Sequence, residues 1–169
     1  MRVEPCSEPS PCWRRLVAVA AEVEQEEWLL ADHETAFDET VLGAFAGEEV
    51  IGFLRSVVQV AGADRGVPAV TIGGREMLET IVLAYGVLPG WRRRGVGRLL
   101  LRRATDQAVD DGSHQIRAHP RGGDAVDHQL RMAIESGGRR ARRGADGGGV
   151  YYLLPPPTPP TRRRFRRRS

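Results

Sequence analysis

The chain has 169 residues, which suits one domain with short tails, and its hydrophobic fraction of 41% is enough to form a buried core. Its formal net charge of +3 depends on six arginines among the last eight residues, so the charge gives little support to a nucleic-acid-binding domain. No apolar run reaches the roughly 18 residues of a membrane span, and no signal pattern opens the chain, so the sequence predicts a cytoplasmic protein without a membrane partner.

The only two cysteines, Cys6 and Cys12, lie near the N-terminus. Their spacing is not that of a C-x-x-C motif, and no cluster of histidines accompanies them. The pattern predicts two ordinary thiols and gives no indication of a disulfide or a metal site.

The first half of the chain predicts a strand, a helix and a hairpin. Residues 1–4 suit a short edge strand. Ser10 and Pro11 are typical of a helix start, and apolar residues then recur at helical spacing, which predicts a helix as far as about Leu30. Residues 40–60 predict two strands around a turn at Gly47 and Glu48.

The second half alternates strands with helices. Residues 61–75 are rich in glycine and predict a loop. Residues 77–89 are apolar on both faces, as expected of a central strand covered on both sides. The stripe of Val96, Leu100, Ala104 and Ala108 predicts a helix that ends near residue 111. A short strand (114–119), a weaker helix (124–136) and a last strand (147–154) follow, and the proline- and arginine-rich residues 155–169 predict a disordered tail.

The stretch GVLPGWRRRGVGRLLLRRA joins the long strand to the helix after it. A helix start has unpaired N–H groups and a partial positive charge, and Gly95 and Gly97 would let an anion approach that backbone closely. Arg92, Arg93 and Arg94 add positive charge beside it. The stretch is neither a G-x-x-x-x-G-K-[ST] phosphate loop nor a complete G-x-G-x-x-G loop, so another kind of diphosphate site is indicated.

The remaining pattern is R-x-x-G-x-G, formed by Arg92, Gly95 and Gly97 after the strand end VLP. It resembles the coenzyme A signature [Q/R]-x-x-G-x-[G/A] of the GNAT superfamily of N-acetyltransferases. The order of predicted elements agrees with that family over residues 13–154. The resemblance implies an α+β fold, a mixed and mostly antiparallel sheet flanked by helices, whose central strands (77–88 and 114–119) splay apart. Residues 1–154 would form the acetyltransferase domain.

The resemblance also implies acetyl-CoA as cosubstrate and no metal. Backbone groups freed by the splay, near residues 83–88, would bond the pantetheine, and the amides of residues 93–98 would hold the diphosphate. The amide of Val87 or Leu88 would stabilise the oxyanion of the reaction. The cofactor-binding residues implied in this way are Val87, Leu88, Arg92, Arg93, Arg94, Gly95, Val96, Gly97 and Arg98.

For the general base, the resemblance points to Glu79, early on the long strand. A carboxylate among apolar neighbours would have a raised pKa or would act through a water molecule. The alternative interpretation is an ordinary solvent-facing glutamate, and His119 could serve as the base instead. The last helix lacks the tyrosine that the family often uses as general acid, although Asp127 suits the position of the family's asparagine. Tyr151 and Tyr152 are expected to point to opposite faces of the final strand and to pack the sheet.

The sequence therefore predicts an enzyme that moves an acetyl group to the amine of a small molecule or peptide. The acceptor would contact residues 26–38 and 61–75, where several acidic side chains suit a cation or simply form a solvated face. A degenerate, non-catalytic acetyl-CoA-binding module is the alternative. Binding of polyanions by the tail is the less favoured third hypothesis, and homodimers, common in this family, are compatible with the sequence.

Overall fold

The structure is a computed structural model and describes residues 1–119, 123–146 and 149–155. Its strands are β1 (Arg2–Pro5), β2 (Asp38–Ala46), β3 (Glu49–Val60), β4 (Thr71–Ile72), β5 (Arg75–Glu76), β6 (Leu78–Val87), β7 (Gln115–Ala118), β8 (Arg142–Asp146) and β9 (Gly149–Leu153). Seven of them form one sheet in the order β1-β2-β3-β6-β7-β9-β8. Only the β6–β7 pair is parallel in that described sheet, which confirms the mixed, mostly antiparallel sheet.

Helices cover both faces of the sheet. They are α1 (Pro11–Glu22), α2 (Glu26–Leu30), α3 (Val96–Asp110) and α4 (Gly123–Ser136), with short 3₁₀ turns η1 (Ala63–Arg65) and η2 (Pro89–Trp91). On one face, α1 buries Leu16 against Phe53 and its neighbours. On the other, α3 and α4 bury Leu100 and Leu130 in the larger core cluster. Each such side chain stabilises the fold by about 1.5–3 kcal/mol.

The helix predicted to reach Leu30 is broken after Glu22, which corrects that expectation. Glu24 has a left-handed φ of 59°, and its amide donates to the carbonyl of Ala21 as the turn closes. The break presses Val23 onto β6, where a Cβ built on Gly86 would come within 2.5 Å of Val23 Cγ2. The interruption therefore brings the α1–α2 junction close to the central strand.

Two further differences concern loops. Residues 61–75, predicted as a loop, include η1 and β4, and β4 pairs with β5 in a small hairpin. The final strand is preceded by β8, which the sequence analysis missed and which pairs with β9 in antiparallel fashion. Residues 139–143 are mostly arginine and do not alternate between apolar and polar positions, so the sequence does not predict a strand there. Pairing with β9 decides the conformation of β8.

The two cysteines form a disulfide, and the prediction of two ordinary thiols was wrong. The Cα atoms of Cys6 and Cys12 lie 6.2 Å apart, within the range that a disulfide requires. The bond closes the short connection between β1 and α1. Close approach of these residues depends on the turn between them, which their sequence spacing does not reveal.

Within the described residues, no helix is both long and apolar enough to cross a membrane. The same part of the chain has no group of three or more histidine, cysteine, aspartate or glutamate residues able to hold a metal ion. The tail predicted to be disordered lies outside the described residues from position 156 onward.

Candidate active site

A cleft opens where the two parallel strands separate. β6 pairs with β7 from Glu79 opposite Gln115 to Val82 opposite Ala118, and the amide of His119 donates to the carbonyl of Val82 at 2.9 Å. Beyond this point β6 continues to Val87, whereas the described part of β7 has ended. Two adjoining hollows follow β6 from there and share Gln25, Tyr85 and Val126 in their walls.

A β-bulge decides which backbone groups of β6 face this cleft. Leu83 has no partner in the β3–β6 register, which shifts between Arg55 and Ser56. After the bulge, the amide of Leu88 donates to the carbonyl of Ile51 on β3 at 3.0 Å. Because backbone groups alternate along a strand, the peptide groups of Tyr85 and Val87 point away from β3 and into the cleft.

The loop before α3 leaves the start of that helix open. Gly95 is the N-cap residue, with a left-handed φ of 83°, and no side chain of the described residues caps the helix. The hydrogen bonds of α3 begin with the amide of Leu99, which donates to the carbonyl of Gly95. The preceding amides therefore have no partner within the helix and favour a bound anion.

Arginines surround this helix start. Arg92, Arg93 and Arg98 line the cleft together with Gly95 and Gly97. The Nε of Arg92 also donates to the carbonyl of Val87 at 3.1 Å, so it ties the loop to the end of β6. These side chains give the cleft a positive charge at the end where α3 begins.

The structure brings together most of the predicted cofactor residues and excludes one predicted role. The amide of Leu88 is already bonded to Ile51, so the expectation that it could stabilise an oxyanion was wrong. The side chains of two other residues do not line the cleft. Val96 is buried in the core, so only its amide at the start of α3 could hold a ligand, and the guanidinium of Arg94 lies over the ring of Trp91, 5.2 Å from its centroid. The predicted residues that line the cleft are Val87, Arg92, Arg93, Gly95, Gly97 and Arg98.

Tyr85 reaches across the cleft and was not singled out from the sequence. Its hydroxyl donates to Oε1 of Gln129 on α4 at 2.7 Å. A Cβ built on Gly97 would overlap that hydroxyl and would lie 2.9 Å from Tyr85 Cζ. Gly97 therefore makes room for the Tyr85 ring as well as for any ligand at the helix start.

Glu79, the predicted base, is fully buried on β6. Its carboxylate is saturated by donors. Oε1 accepts from Gln59 Nε2 at 2.8 Å, the Gly62 amide at 2.9 Å and Arg117 Nη2 at 3.3 Å. Oε2 accepts from Gln115 Nε2 at 2.8 Å and Arg117 Nε at 3.1 Å. Arg117 also binds Asp64, through Nη2 at 2.6 Å.

This environment lowers the pKa of Glu79. Burial, the largest single influence, would raise that pKa, but hydrogen bonds from Arg117 and the Gly62 amide, the charge of Arg117 and the bond from Gln115 outweigh it. The expectation of apolar surroundings and a raised pKa was therefore wrong. The signal in the sequence was the polar pair Gln115 and Arg117 inside an otherwise buried strand.

His119, the other candidate base, lies at the point where the cleft begins. Its imidazole packs against the indole of Trp28 on α2, with ring centroids 5.1 Å apart. Trp28 itself lines the hollow formed by Gln25, Val82, Leu83, Ala84 and Val126. The histidine thus adjoins the inner end of the cleft, opposite the arginine-rich end.

The tyrosines of the final strand have structural partners. Tyr152 is buried, and its hydroxyl donates to Asp127 Oδ2 at 3.0 Å. The ring of Tyr151 packs over Gly144 of β8. The predicted opposite orientation of the two side chains agrees with these contacts. The described residues of α4 include no tyrosine.

An acidic depression lies next to α2. Its walls include Asp32, Glu34, Asp38, Glu39 and the exposed ring of Phe37. The buried Arg55 beneath it donates to the carbonyls of Trp28 and Ala31 at 2.9 and 2.6 Å and forms an ion pair with Glu39. The arginine thereby fixes the end of α2 beside the inner end of the cleft.

Comparison with protein families gives a match to the acetyltransferase (GNAT) family over residues 4–126. No curated protein matches the chain. Solved structures of aminoglycoside acetyltransferases share its fold. The apo 6′-N-acetyltransferase AAC(6′)-IG from Acinetobacter haemolyticus is 18% identical, with 86% of this chain and 95% of that chain covered and a TM-score of 0.52.

Two of the similar structures contain ligands. The enzyme meta-AAC0020 from an uncultured soil metagenomic sample, in complex with sisomicin, is 18% identical and has a TM-score of 0.55, with 91% of this chain and 96% of that chain covered. AAC(6′)-Iy in complex with the bisubstrate analogue CoA-S-monomethyl-acetylneamine is 15% identical and has a TM-score of 0.53, with 79% and 88% covered. The family match itself spans well over half of this chain.

Proposed function

Because this chain belongs to the acetyltransferase (GNAT) family, we propose that it transfers the acetyl group of acetyl-CoA to the amine of a small molecule by direct attack. The observation that carries this proposal is the cleft between β6 and β7, which ends at the uncapped, arginine-flanked start of α3. In this cleft, backbone groups of β6 can form hydrogen bonds with an amide-containing chain, and the start of α3 can bind a diphosphate.

The residues present fit acetyl-CoA. The first amides of α3, with Arg92, Arg93 and Arg98 around them, would hold the diphosphate. The peptide group of Tyr85 and the amide of Val87, whose carbonyl already accepts from Arg92, would bond the pantetheine as a neighbouring strand would. When bound, the cosubstrate supplies the thioester whose carbonyl carbon the amine attacks. A cleft-facing amide of β6 would then stabilise the oxyanion that forms.

We assign the base to His119 rather than to Glu79. Both carboxylate oxygens of Glu79 already accept hydrogen bonds from neighbouring donors. The lowered pKa of Glu79 also makes it a weak proton acceptor. His119 adjoins the inner end of the cleft, and an imidazole accepts a proton readily near neutral pH. It would take the proton that the amine loses, and the departing thiolate takes up one proton, so the reaction balances.

We infer that the acceptor is a cation with more than one amine. The acidic depression beside α2 supports this inference, since ammonium groups not undergoing reaction would be favoured there. The aminoglycosides bound by the structural neighbours belong to this chemical class, so they are the first compounds to test.

A second candidate function is a module that binds acetyl-CoA without turnover. The absence of a tyrosine from the described residues of α4 favours it, because the family often uses one to protonate the thiolate. Release of free thiol from acetyl-CoA in the presence of an amine panel separates the two functions. Turnover with any amine supports the enzyme, whereas cofactor binding without turnover across polyamines, aminoglycosides and peptides supports the binding module.

The open start of α3 gives a testable prediction. Gly95→Ala would place a Cβ at a φ of 83°, a conformation costing about 1–2 kcal/mol for other residues, and would distort the turn that directs the α3 amides. We expect acetyl-CoA to bind at least tenfold more weakly, equivalent to about 1.4 kcal/mol, as measured by calorimetry. Gly90→Ala in the same loop is the matched control, because a Cβ there meets nothing within 4 Å. Unchanged affinity in a folded Gly95→Ala variant would contradict the diphosphate assignment.

A further inference from the structure

The hydrogen bond between Tyr85 and Gln129 spans the cleft assigned to the cofactor. Tyr85 belongs to β6 and Gln129 to α4, and both side chains line the hollow that ends at Gly95 and Gly97. Gln129 is exposed and Tyr85 is half-buried. The bond therefore closes the groove above the strand edge instead of belonging to the packed core.

The Tyr85 hydroxyl also lies against the first turn of α3. The space that a Cβ on Gly97 would need is taken by that hydroxyl and by Cζ of the ring. The same turn presents the amides of Val96, Gly97 and Arg98, which have no acceptor within the helix. A hydroxyl donor thus stands beside amide donors that need an anion.

A phenol has one proton to donate, so it can serve one acceptor at a time. In the structure this acceptor is Gln129 Oε1. Burial raises the pKa of Tyr85 to about 12, so the hydroxyl keeps its proton at physiological pH. An anionic oxygen is a stronger acceptor than a neutral amide oxygen, so a diphosphate at the helix start would compete for this proton.

Building on the proposed function, we propose that Tyr85 is a cofactor-binding residue that recognises the diphosphate. Its hydroxyl leaves Gln129 and donates to a diphosphate oxygen held by the first amides of α3. The exchange opens the groove for the pantetheine as the cofactor enters. It gives Tyr85 a role specific to ligands that carry the diphosphate.

The experiment compares acetyl-CoA with S-acetylpantetheine, which has the same thioester arm but no diphosphate. Both are titrated against the full-length protein by tryptophan fluorescence, since Trp28 and Trp91 line the cleft. We expect Tyr85→Phe to weaken acetyl-CoA binding about tenfold or more, the range for a hydrogen bond to a charged group. S-Acetylpantetheine should bind at least as tightly as to the parent protein, because the variant lacks the hydrogen bond that closes the groove and this ligand has no diphosphate contact to lose. Equal weakening of both ligands, or unchanged binding of acetyl-CoA, would overturn the proposal.

Gln129→Leu is not expected to weaken acetyl-CoA binding, in contrast to Tyr85→Phe. Removing the resting acceptor frees the hydroxyl, so acetyl-CoA should bind as well as in the parent protein or more tightly. If Gln129→Leu weakens acetyl-CoA binding as much as Tyr85→Phe does, the two residues only hold the groove together. That result would overturn the proposed exchange of hydrogen-bond partners. If the parent protein binds no acetyl-CoA, the proposed function fails. If the parent binds it and Tyr85→Phe binds it equally, only this inference fails.

Discussion

Glu79→Gln is expected to lower the free energy of unfolding by about 3–5 kcal/mol, the usual cost of breaking a buried ion pair from one side. Donors face both carboxylate oxygens of Glu79. The amide group of a glutamine would therefore meet another donor in either orientation, and Arg117 would lose its buried partner. Chemical denaturation at pH 7 measures the effect.

Glu39→Gln is the matched control, because Glu39 also pairs with a buried arginine but is 45% exposed. A glutamine oxygen at this position can still accept from Arg55, which also keeps its bonds to the carbonyls of Trp28 and Ala31. Because solvent reaches the half-exposed side chain, we expect a change of at most about 1 kcal/mol. A Glu79→Gln variant as stable as this control would contradict the structural role given to the buried network.

The same network predicts the direction of the pH dependence. The pKa of Glu79 lies below its ordinary value of 4.5, and that of Asp64 lies below 3.8. A carboxylate with a depressed folded-state pKa stabilises the fold above its ordinary pKa, and this stabilisation is lost as the pH falls through the folded-state pKa. The unfolding free energy should therefore decline with acid below about pH 4.5 in the parent protein, and decline less steeply in Glu79→Gln.

His119→Gln should reduce kcat by about 10²–10⁴-fold, the usual contribution of a general base, while acetyl-CoA binds normally. The diphosphate and pantetheine contacts proposed above lie on β6 and α3, not on His119. Calorimetry measures the affinity for acetyl-CoA, and a steady-state thiol-release assay with an accepted amine measures kcat.

His114→Gln is the control for this experiment. His114 precedes the same strand, but its Nδ1 accepts from the Leu78 amide at 3.1 Å, away from the cleft. We expect near-normal rates, because a glutamine oxygen can accept that bond. If His119→Gln kept the parent kcat, His119 would not be the base. Glu79 would then be the base, as the sequence alone suggested, only if a Glu79→Gln protein shown to be folded lost its kcat.

Local patterns predicted the framework of the site. The strand–loop–helix unit around Gly95 depends on apolar periodicity and on glycine conformations, both of which act over a few residues. The hairpin turn at Gly47 and the end of α3 near Gly112 follow from the same kind of signal. The cofactor loop could therefore be located before any tertiary contact was known.

The surroundings of Glu79 could not be predicted, because its partners come from distant parts of the chain. Gln59, Gly62, Gln115 and Arg117 reach it only through the registers of β3, β6 and β7. The sequence left open whether the amide of Val87 or that of Leu88 faces the cleft, for a related reason. The unpaired residue Leu83 shifts the alternation of β6 by one position, and no residue type marks that bulge.

The half-paired state of β6 has a consequence for the exchange of its backbone hydrogens with solvent. Amides of Gly86 and Leu88 face β3 and are protected by the sheet, whereas those of Tyr85 and Val87 face the cleft. Neighbouring residues of one strand should thus exchange at rates that alternate from fast to slow, although all belong to the same cooperative unit. A ligand lying along the cleft would remove the alternation and leave β6 uniformly protected, as though the sheet had gained a strand.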